Sequence, residues 1–221
     1  MARMWVQLLA IIPLDLGQGR LRHTTAAKQI AFRAVPKAGS GARALDLGCG
    51  DGYWSERLRA FGYTVTATDV PRQYPNEDAD VLYPAAIMVD ANGPLPFPNA
   101  SFDLVWCSEV IEHLRNYRGA VREALRVLRP GGSYIFTTPN SYFWLHYTLR
   151  CLGWSHRDWQ NEGHVNFFRL RDVRALFPNA TVLGYFPYAL VKYTIQSSLA
   201  VRALSPSFVI VGRKENGSQL D

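Results

Sequence analysis

A run of three glycines, Gly48-Cys49-Gly50-Asp51-Gly52, follows directly on the apolar stretch Arg43–Leu47, and an acid, Asp46, stands two residues before the first of them. Glycine lacks a Cβ, so the chain can turn sharply there and a ligand can lie against the main chain. A dinucleotide-binding turn of the G-x-G-x-x-G type calls for a small residue where this chain has Tyr53. The acid ahead of the glycines suits a different ligand. A carboxylate at position 46 accepts hydrogen bonds from a cationic amine, directly or through water. That fits a ligand with an amino-acid end better than one with a pyrophosphate. Asp69, 21 residues after Gly48 and followed by Val70, closes the next β-branched run, where a carboxylate can take both hydroxyls of a ribose. Asp90 closes the run after that, where it can accept from an exocyclic adenine amine while the backbone of Ala91 meets the ring edge. Taken singly, each acid reads as a turn or cap residue. Three acids at three successive strand ends, in this order, are hard to explain as caps.

A second constellation lies further along. Glu109, Glu112 and His113 stand at i, i+3 and i+4, spacing that a helix places on one face. Two carboxylates and an imidazole can hold a divalent ion, with His164, from Gly163-His164-Val165-Asn166-Phe167-Phe168, as a fourth ligand. His113 is also the best-placed general base for a hydroxyl acceptor. The competing structural reading makes it a helix-start histidine packed beside the sheet. The segment 140–159 is dense in aromatics (Tyr142, Phe143, Trp144, Tyr147, Trp154, Trp159) and carries His146 and His156. It reads either as a lid over a ring-shaped, apolar or sugar acceptor or as a helix pair completing the core. Tyr185 to Pro187 and Tyr193 are expected to close the same pocket.

The elements that must position these residues follow from the pattern. Strands are expected at 43–47, 64–68, 86–89, 102–107, 133–138, 181–185 and 208–211, and helices at 23–34, 54–61, 111–128 and 170–177, with Arg129-Pro130-Gly131-Gly132 stopping the third. Alternation of strand and helix implies βαβ units, a mostly parallel sheet and ligands at the carboxyl ends of its strands. The chain of 221 residues, 48% apolar, is long enough for one α/β domain with a sizeable core. Residues 1–35 read as an N-terminal helical cap, 43–138 as a cofactor-binding half, 139–211 as an acceptor-side half and 212–221 as a flexible tail.

Net charge is +6, which suits an anionic partner. The arginines at 115, 118, 122, 126 and 129, however, are spaced like a solvated helix face. Cys49, Cys107 and Cys151 form neither a disulfide framework nor a zinc pattern, which indicates a reducing, cytoplasmic setting. Met4 to Leu14, with Arg3 before it, resembles a short signal h-region but has no clear small-residue cleavage site after it and is shorter than the roughly 20 residues that span a bilayer, so it reads rather as a helix docked on the domain or lying on a membrane surface.

The stretch Ala44 to Leu58 resembles the first signature of class I S-adenosylmethionine-dependent methyltransferases. Asn92 to Val105 is similar to that family's "LPF…SFD" strand entry. Glu109-Val110-Ile111-Glu112-His113-Leu114 and Leu125 to Gly132 resemble its next two landmarks. The resemblance covers 43–211. It implies a Rossmann-like sheet of seven strands, the last antiparallel, with helices on both faces. It also implies S-adenosylmethionine as methyl donor. By it, Asp46, Leu47, Gly48, Cys49 and Gly50 face the methionine part, Asp69 and Val70 the ribose, and Asp90 and Ala91 the adenine. Ser108 lies near the methyl-bearing end. The Glu109, Glu112, His113 and His164 set resembles that of metal-assisted O-methyltransferases acting on polyprenyl catechols and on RNA 3′ ends. The expected function is methylation, at oxygen, of a small-molecule acceptor that is lipid-linked, aromatic, isoprenoid or sugar-containing. RNA methylation, and cofactor binding without turnover, stand as alternatives. The acceptor and the oligomeric state have no signature in the sequence.

Overall fold

The computed structural model describes residues 25–70, 83–151, 153, 163–186 and 194–215. In chain order the elements are α1 (Ala26–Arg33), β1 (Arg43–Leu47), α2 (Tyr53–Ala60), β2 (Thr64–Asp69), β3 (Ile87–Met88) and β4 (Phe102–Ser108). A 3-10 turn (Ile111–His113), α3 (Tyr117–Val127), β5 (Leu128–Pro139) and α4 (Trp144–Cys151) follow. The chain ends with α5 (Leu170–Leu176), β6 (Thr181–Tyr185), β7 (Thr194–Ile195), α6 (Ser198–Leu204) and β8 (Ser207–Arg213).

The strands form one sheet in the order β3-β2-β1-β4-β5-β8-β6-β7. Pairings from β3 through β5 are parallel, whereas β8 runs antiparallel to both β5 and β6. The mostly parallel α/β architecture is the expected one. Among the described residues the sheet has eight strands rather than the expected seven, because the two-residue β7 pairs antiparallel with the end of β6. The chain builds β1, β2 and β3 outward in one direction and then crosses to β4 on the other side of β1. That reversal opens a crevice at the carboxyl ends of β1 and β4, the place where open α/β sheets bind ligands.

Both faces of the sheet are apolar, as expected for strands covered by helices on each side. On β4, Leu104 and Trp106 pack toward α1 and α2, while Val105 and Cys107 pack toward α3 and α5. Phe102 breaks the alternation and joins Val105, because the β4–β5 register shifts between Phe102 and Leu104. The Trp54 and Trp106 rings lie 5.2 Å apart, and Phe32 of α1 meets both. α1 is thereby fixed on this face of the sheet, where it packs mainly against β8 and β5.

The single helix expected over 111–128 is divided. Residues 111–113 make a 3-10 turn, Leu114 is extended, and α3 starts afresh behind Asn116, whose side chain accepts from the Gly119 N–H at 3.2 Å. An N-cap of this kind starts a new helix where the apolar spacing alone would continue the old one. The stop after α3 is as expected, since Pro130 cannot donate to a helix. Two of the five arginines hold partners, Arg126 half-buried and Arg129 exposed. Arg126 bridges Glu123, Asn99 and the carbonyls of Leu95 and Phe97, and Arg129 pairs with Asp103. Lys214 N–H donates to Gly132, and Lys214 accepts from Gly131, extending the β8 pairing. The apolar segment 4–14 lies outside the described residues. Among the described residues no helix is long and apolar enough to cross a membrane.

Candidate active site

The turn after β1 is held open by its own backbone. The N–H groups of Gly48 and Cys49 both donate to the carbonyl of Thr68, at 2.8 and 3.0 Å, so the glycine turn is tied to the end of β2. Gly48 sits at φ 81° and Gly52 at φ 82°, conformations that favour glycine. A Cβ on Gly48 would also run into the Val110 side chain, which leans over the turn from the β4 side.

Asp46 is buried, at 1% exposure, and accepts from Ser55 Oγ of α2 at 2.5 Å. Burial raises its pKa to about 7 in spite of that bond, with the Asp69 charge adding to the rise. A cationic ligand group beside it would favour the ionised form. Asp69 takes Gly50 N–H on Oδ2 at 2.6 Å and Val70 N–H on Oδ1 at 2.7 Å. Two backbone donors fix the plane of the carboxylate and leave one lone-pair site on each oxygen for a pair of hydroxyls. Asp90 is exposed and holds Asn92 through both its N–H and its amide. Asn92 in turn accepts from the backbone N–H of Asn116, which connects the third acid to the start of α3. Cys49 is buried, and burial beside Asp46 and Asp69 pushes its thiol up to about 12, so it is an uncharged lining residue. Ser108 Oγ pairs with Thr137 Oγ1 at 2.8 Å across β4 and β5.

The second constellation assembles differently from the sequence expectation. Because residues 111–113 form a 3-10 turn, the α-helical i, i+4 stacking of Glu109 on His113 is lost. Glu109 stands before the turn with φ 58°, its N–H donating to Thr137. The structure instead groups Glu112, His113 and His164, whose ligand atoms lie within 4.8 Å of one another; Glu109 is not in that group. Glu112 is buried and accepts from Thr138 Oγ1 on Oε2 at 3.0 Å, while its Oε1 has no hydrogen-bond partner among the described residues. Burial, then the Glu109 charge, hold the Glu112 carboxyl well above the usual range. The His113 and His164 rings meet edge to face at 4.7 Å. Burial lowers the His164 pKa to about 4, aided by His113, so His164 is neutral at physiological pH.

Lys28 escaped the sequence reading. It sits half-buried on α1, and its charge acts on both Asp46 and Glu112. A lone helix lysine outside any motif carries no signal until α1 is seen packed on the sheet. The aromatic expectations divide. Phe143 and Tyr185 are core residues, at 2% and 1% exposure, so Tyr185 does not close an acceptor pocket; it packs with Trp54 and Trp106. Trp144 and Tyr147 are exposed on α4, and Tyr142 lies under the Arg169 guanidinium at 4.0 Å. Trp154, His156, Trp159, Pro187 and Tyr193 lie outside the described residues.

A family model described as a methyltransferase domain matches residues 19–180. The chain is 36% identical over 124 residues to a malonyl-[acyl-carrier protein] O-methyltransferase of Erwinia pyrifoliae, covering 53% of this chain and 45% of that protein. It is 37% identical over 101 residues to the 27-O-demethylrifamycin SV methyltransferase of Amycolatopsis mediterranei, covering 42% and 37%. The chain thus spans less than half the length of these curated relatives. Among solved structures it is similar to an S-adenosylmethionine-dependent methyltransferase from Mesorhizobium loti, with TM-score 0.60 and 20% identity over 86% of this chain and 98% of that one.

Proposed function

The chain belongs to the class I S-adenosylmethionine-dependent methyltransferase family, and on that premise we propose that it moves the sulfonium methyl group to an oxygen of a small-molecule acceptor. The observation that carries the choice of oxygen is the His113 imidazole. Its Nδ1 lies 3.0 Å from the carbonyl oxygen of Gly163, which can only accept, so Nδ1 bears the proton and Nε2 of the neutral ring bears the lone pair. A hydroxyl is a weak methyl acceptor until its proton has somewhere to go. The acceptor oxygen attacks the methyl carbon, the carbon–sulfur bond breaks with its electrons returning to sulfur, and the hydroxyl proton passes to His113 Nε2. Products are the O-methylated acceptor, S-adenosylhomocysteine and a proton released from His113. Alignment of oxygen, carbon and sulfur supplies the remainder of the rate.

In this reading Asp46 receives the ammonium of the methionine part, with Leu47 to Gly50 lining it and Lys28 beside its carboxylate. Asp69 and Val70 hold the ribose, Asp90 and Ala91 the adenine, and Ser108 lies beside the reacting carbon. Exposed Trp144 and Tyr147 offer a surface for an aromatic, isoprenoid or sugar-containing acceptor. The names of the two relatives, both oxygen methyltransferases of small or carrier-bound molecules, support the same class. RNA as acceptor is less well supported, since Arg126 is engaged with Glu123, Asn99 and the carbonyls of Leu95 and Phe97.

The test is transfer of labelled methyl from S-adenosylmethionine to a panel of catechols, isoprenoid phenols, sugars, malonyl thioesters and RNA. Label in an alkali-stable ether or in a methyl ester supports the reading. Product only on nitrogen or RNA, or cofactor binding with no product from any acceptor, would replace it with one of the alternatives.

A second reading is carried by the grouping of Glu112, His113 and His164. One carboxylate with an unpartnered buried oxygen and two imidazoles form a donor set that suits a first-row divalent ion. Such an ion would act as a Lewis acid on the acceptor oxygen. Activity unchanged by EDTA, together with no paramagnetic broadening of His113 and His164 by manganese, would exclude it.

A further inference from the structure

We propose that Asn166 is the positioning residue of the site, and that its side-chain amide keeps His113 on a short 3-10 turn and out of helix α3. The inference rests on the reading of His113 as the base. The apolar spacing from Ile111 to Leu128 favours one continuous helix, yet the chain stops winding after His113 and restarts only at Tyr117. A turn that ends so soon satisfies its carbonyls poorly, and Ile111 accepts from the Leu114 N–H only at 3.4 Å. Asn166, 53 residues beyond His113, supplies the partners. Its Nδ2 donates to Leu114 at 2.7 Å and to Ile111 at 3.2 Å, so the amide hydrogens serve the two carbonyls that flank the Glu112–His113 pair. The N–H groups of Val165 and Asn166 both donate to the Glu112 carbonyl, at 2.9 and 3.0 Å. The His113 ring closes the circuit by donating to Gly163.

The same loop brings His164 against His113 and is fixed at its far end. Phe168 accepts from the Ser141 N–H at 3.2 Å, and the Phe168 ring packs on Tyr117 at the first turn of α3. The loop is therefore tied to both ends of the interruption between the 3-10 turn and α3. Without the Asn166 amide, the Ile111 and Leu114 carbonyls would be freed to accept from N–H groups further along. Residues 111–116 could then wind into α3 and turn His113 away from Gly163. Asn166 spends its amide on these backbone carbonyls and so acts through His113.

The experiment compares the wild-type protein with Asn166→Asp, which keeps the shape of the side chain but faces both carbonyls with an acceptor. Two-bond nitrogen–proton correlations of the histidine rings at pH 8, with S-adenosylhomocysteine bound, read the His113 tautomer directly. The wild-type should show a single Nδ1-protonated form. Asn166→Asp should lose it, and kcat toward any acceptor that turns over should fall at least tenfold while S-adenosylhomocysteine affinity stays within twofold. An unchanged His113 signature with unchanged kcat, or a loss of cofactor affinity equal to the loss of kcat, would overturn the proposal. If Asn166→Asp fails to fold, Asn166→Ser decides. Its single hydroxyl can serve at most one carbonyl, so a wild-type His113 signature there is equally fatal. Failure of the base reading looks different: His113→Gln would retain kcat whatever the Asn166 spectra show.

Discussion

His113 Nδ1 donates to the carbonyl of Gly163 across 50 residues of chain, and this one bond decides which ring nitrogen can take a proton. Replacement of His113 by Gln keeps an amide donor for Gly163 but removes the basic nitrogen. The variant should bind S-adenosylhomocysteine within about threefold of wild type and lose 10²–10⁴-fold in kcat toward a hydroxyl acceptor, the usual range for a general base. Raising the pH should restore part of the rate, because hydroxide then takes the proton. Steady-state kinetics from pH 7 to about 10 would check this, and a rate independent of both the substitution and pH would remove His113 from the chemistry.

Asp69 is held flat by Gly50 and Val70, so its remaining lone pairs point in fixed directions. Asp69→Ala should weaken S-adenosylhomocysteine binding by about 1–3 kcal/mol, the cost of leaving polar groups unpaired. Calorimetry measures it. A loss below a few tenths of a kcal/mol would mean that the ribose lies elsewhere.

At Gly48, φ 81° and the Val110 side chain both stand against any larger residue. Gly48→Ala should cost about 1–2 kcal/mol for the left-handed backbone alone, plus a contact term with Val110. The double variant Gly48→Ala, Val110→Ala should recover the contact term and leave the backbone term. Thermal denaturation of the two proteins separates them. Full recovery in the double variant would show that backbone conformation is not the constraint.

The cofactor half of the site was legible because its signals are local. Asp46, Asp69 and Asp90 each terminate a short apolar or β-branched run, and the glycine turn is contiguous with the first of them. The other half depends on contacts between distant segments. Within the run from Ile111 to Leu128 only the cap residue Asn116 signals an interruption, and Asn166, which holds the turn before it, lies far along the chain. The 3-10 turn takes Glu109 off the face expected to carry it with Glu112 and His113, and His164 reaches His113 from a loop 50 residues on. Lys28 and the core role of Tyr185 were illegible for the same reason, because each depends on which elements α1 and β6 pack against.

Asp46 links cofactor binding to pH. Burial lifts its pKa from 3.8 to about 7, so the apo-protein holds a proton there that the unfolded chain has lost. A carboxyl of this kind adds stability that is complete below the unfolded value and is lost as pH rises through the folded one. The apo-protein should therefore lose stability between pH 4 and about 7 through this group. The ammonium of the cofactor reverses the preference by stabilising the carboxylate, so binding expels the proton. S-adenosylhomocysteine affinity should then rise with pH, by up to about tenfold per unit below pH 7, and level off above it. Calorimetry in two buffers of different ionisation heat, near pH 6, should detect close to one proton released per cofactor bound. Asp46→Asn should abolish both the proton release and the slope and weaken binding, while making the apo-protein more stable than wild type above pH 7. An Asp46→Asn protein with the wild-type slope would place the titrating group elsewhere in the crevice, with Glu112 the next carboxyl to substitute.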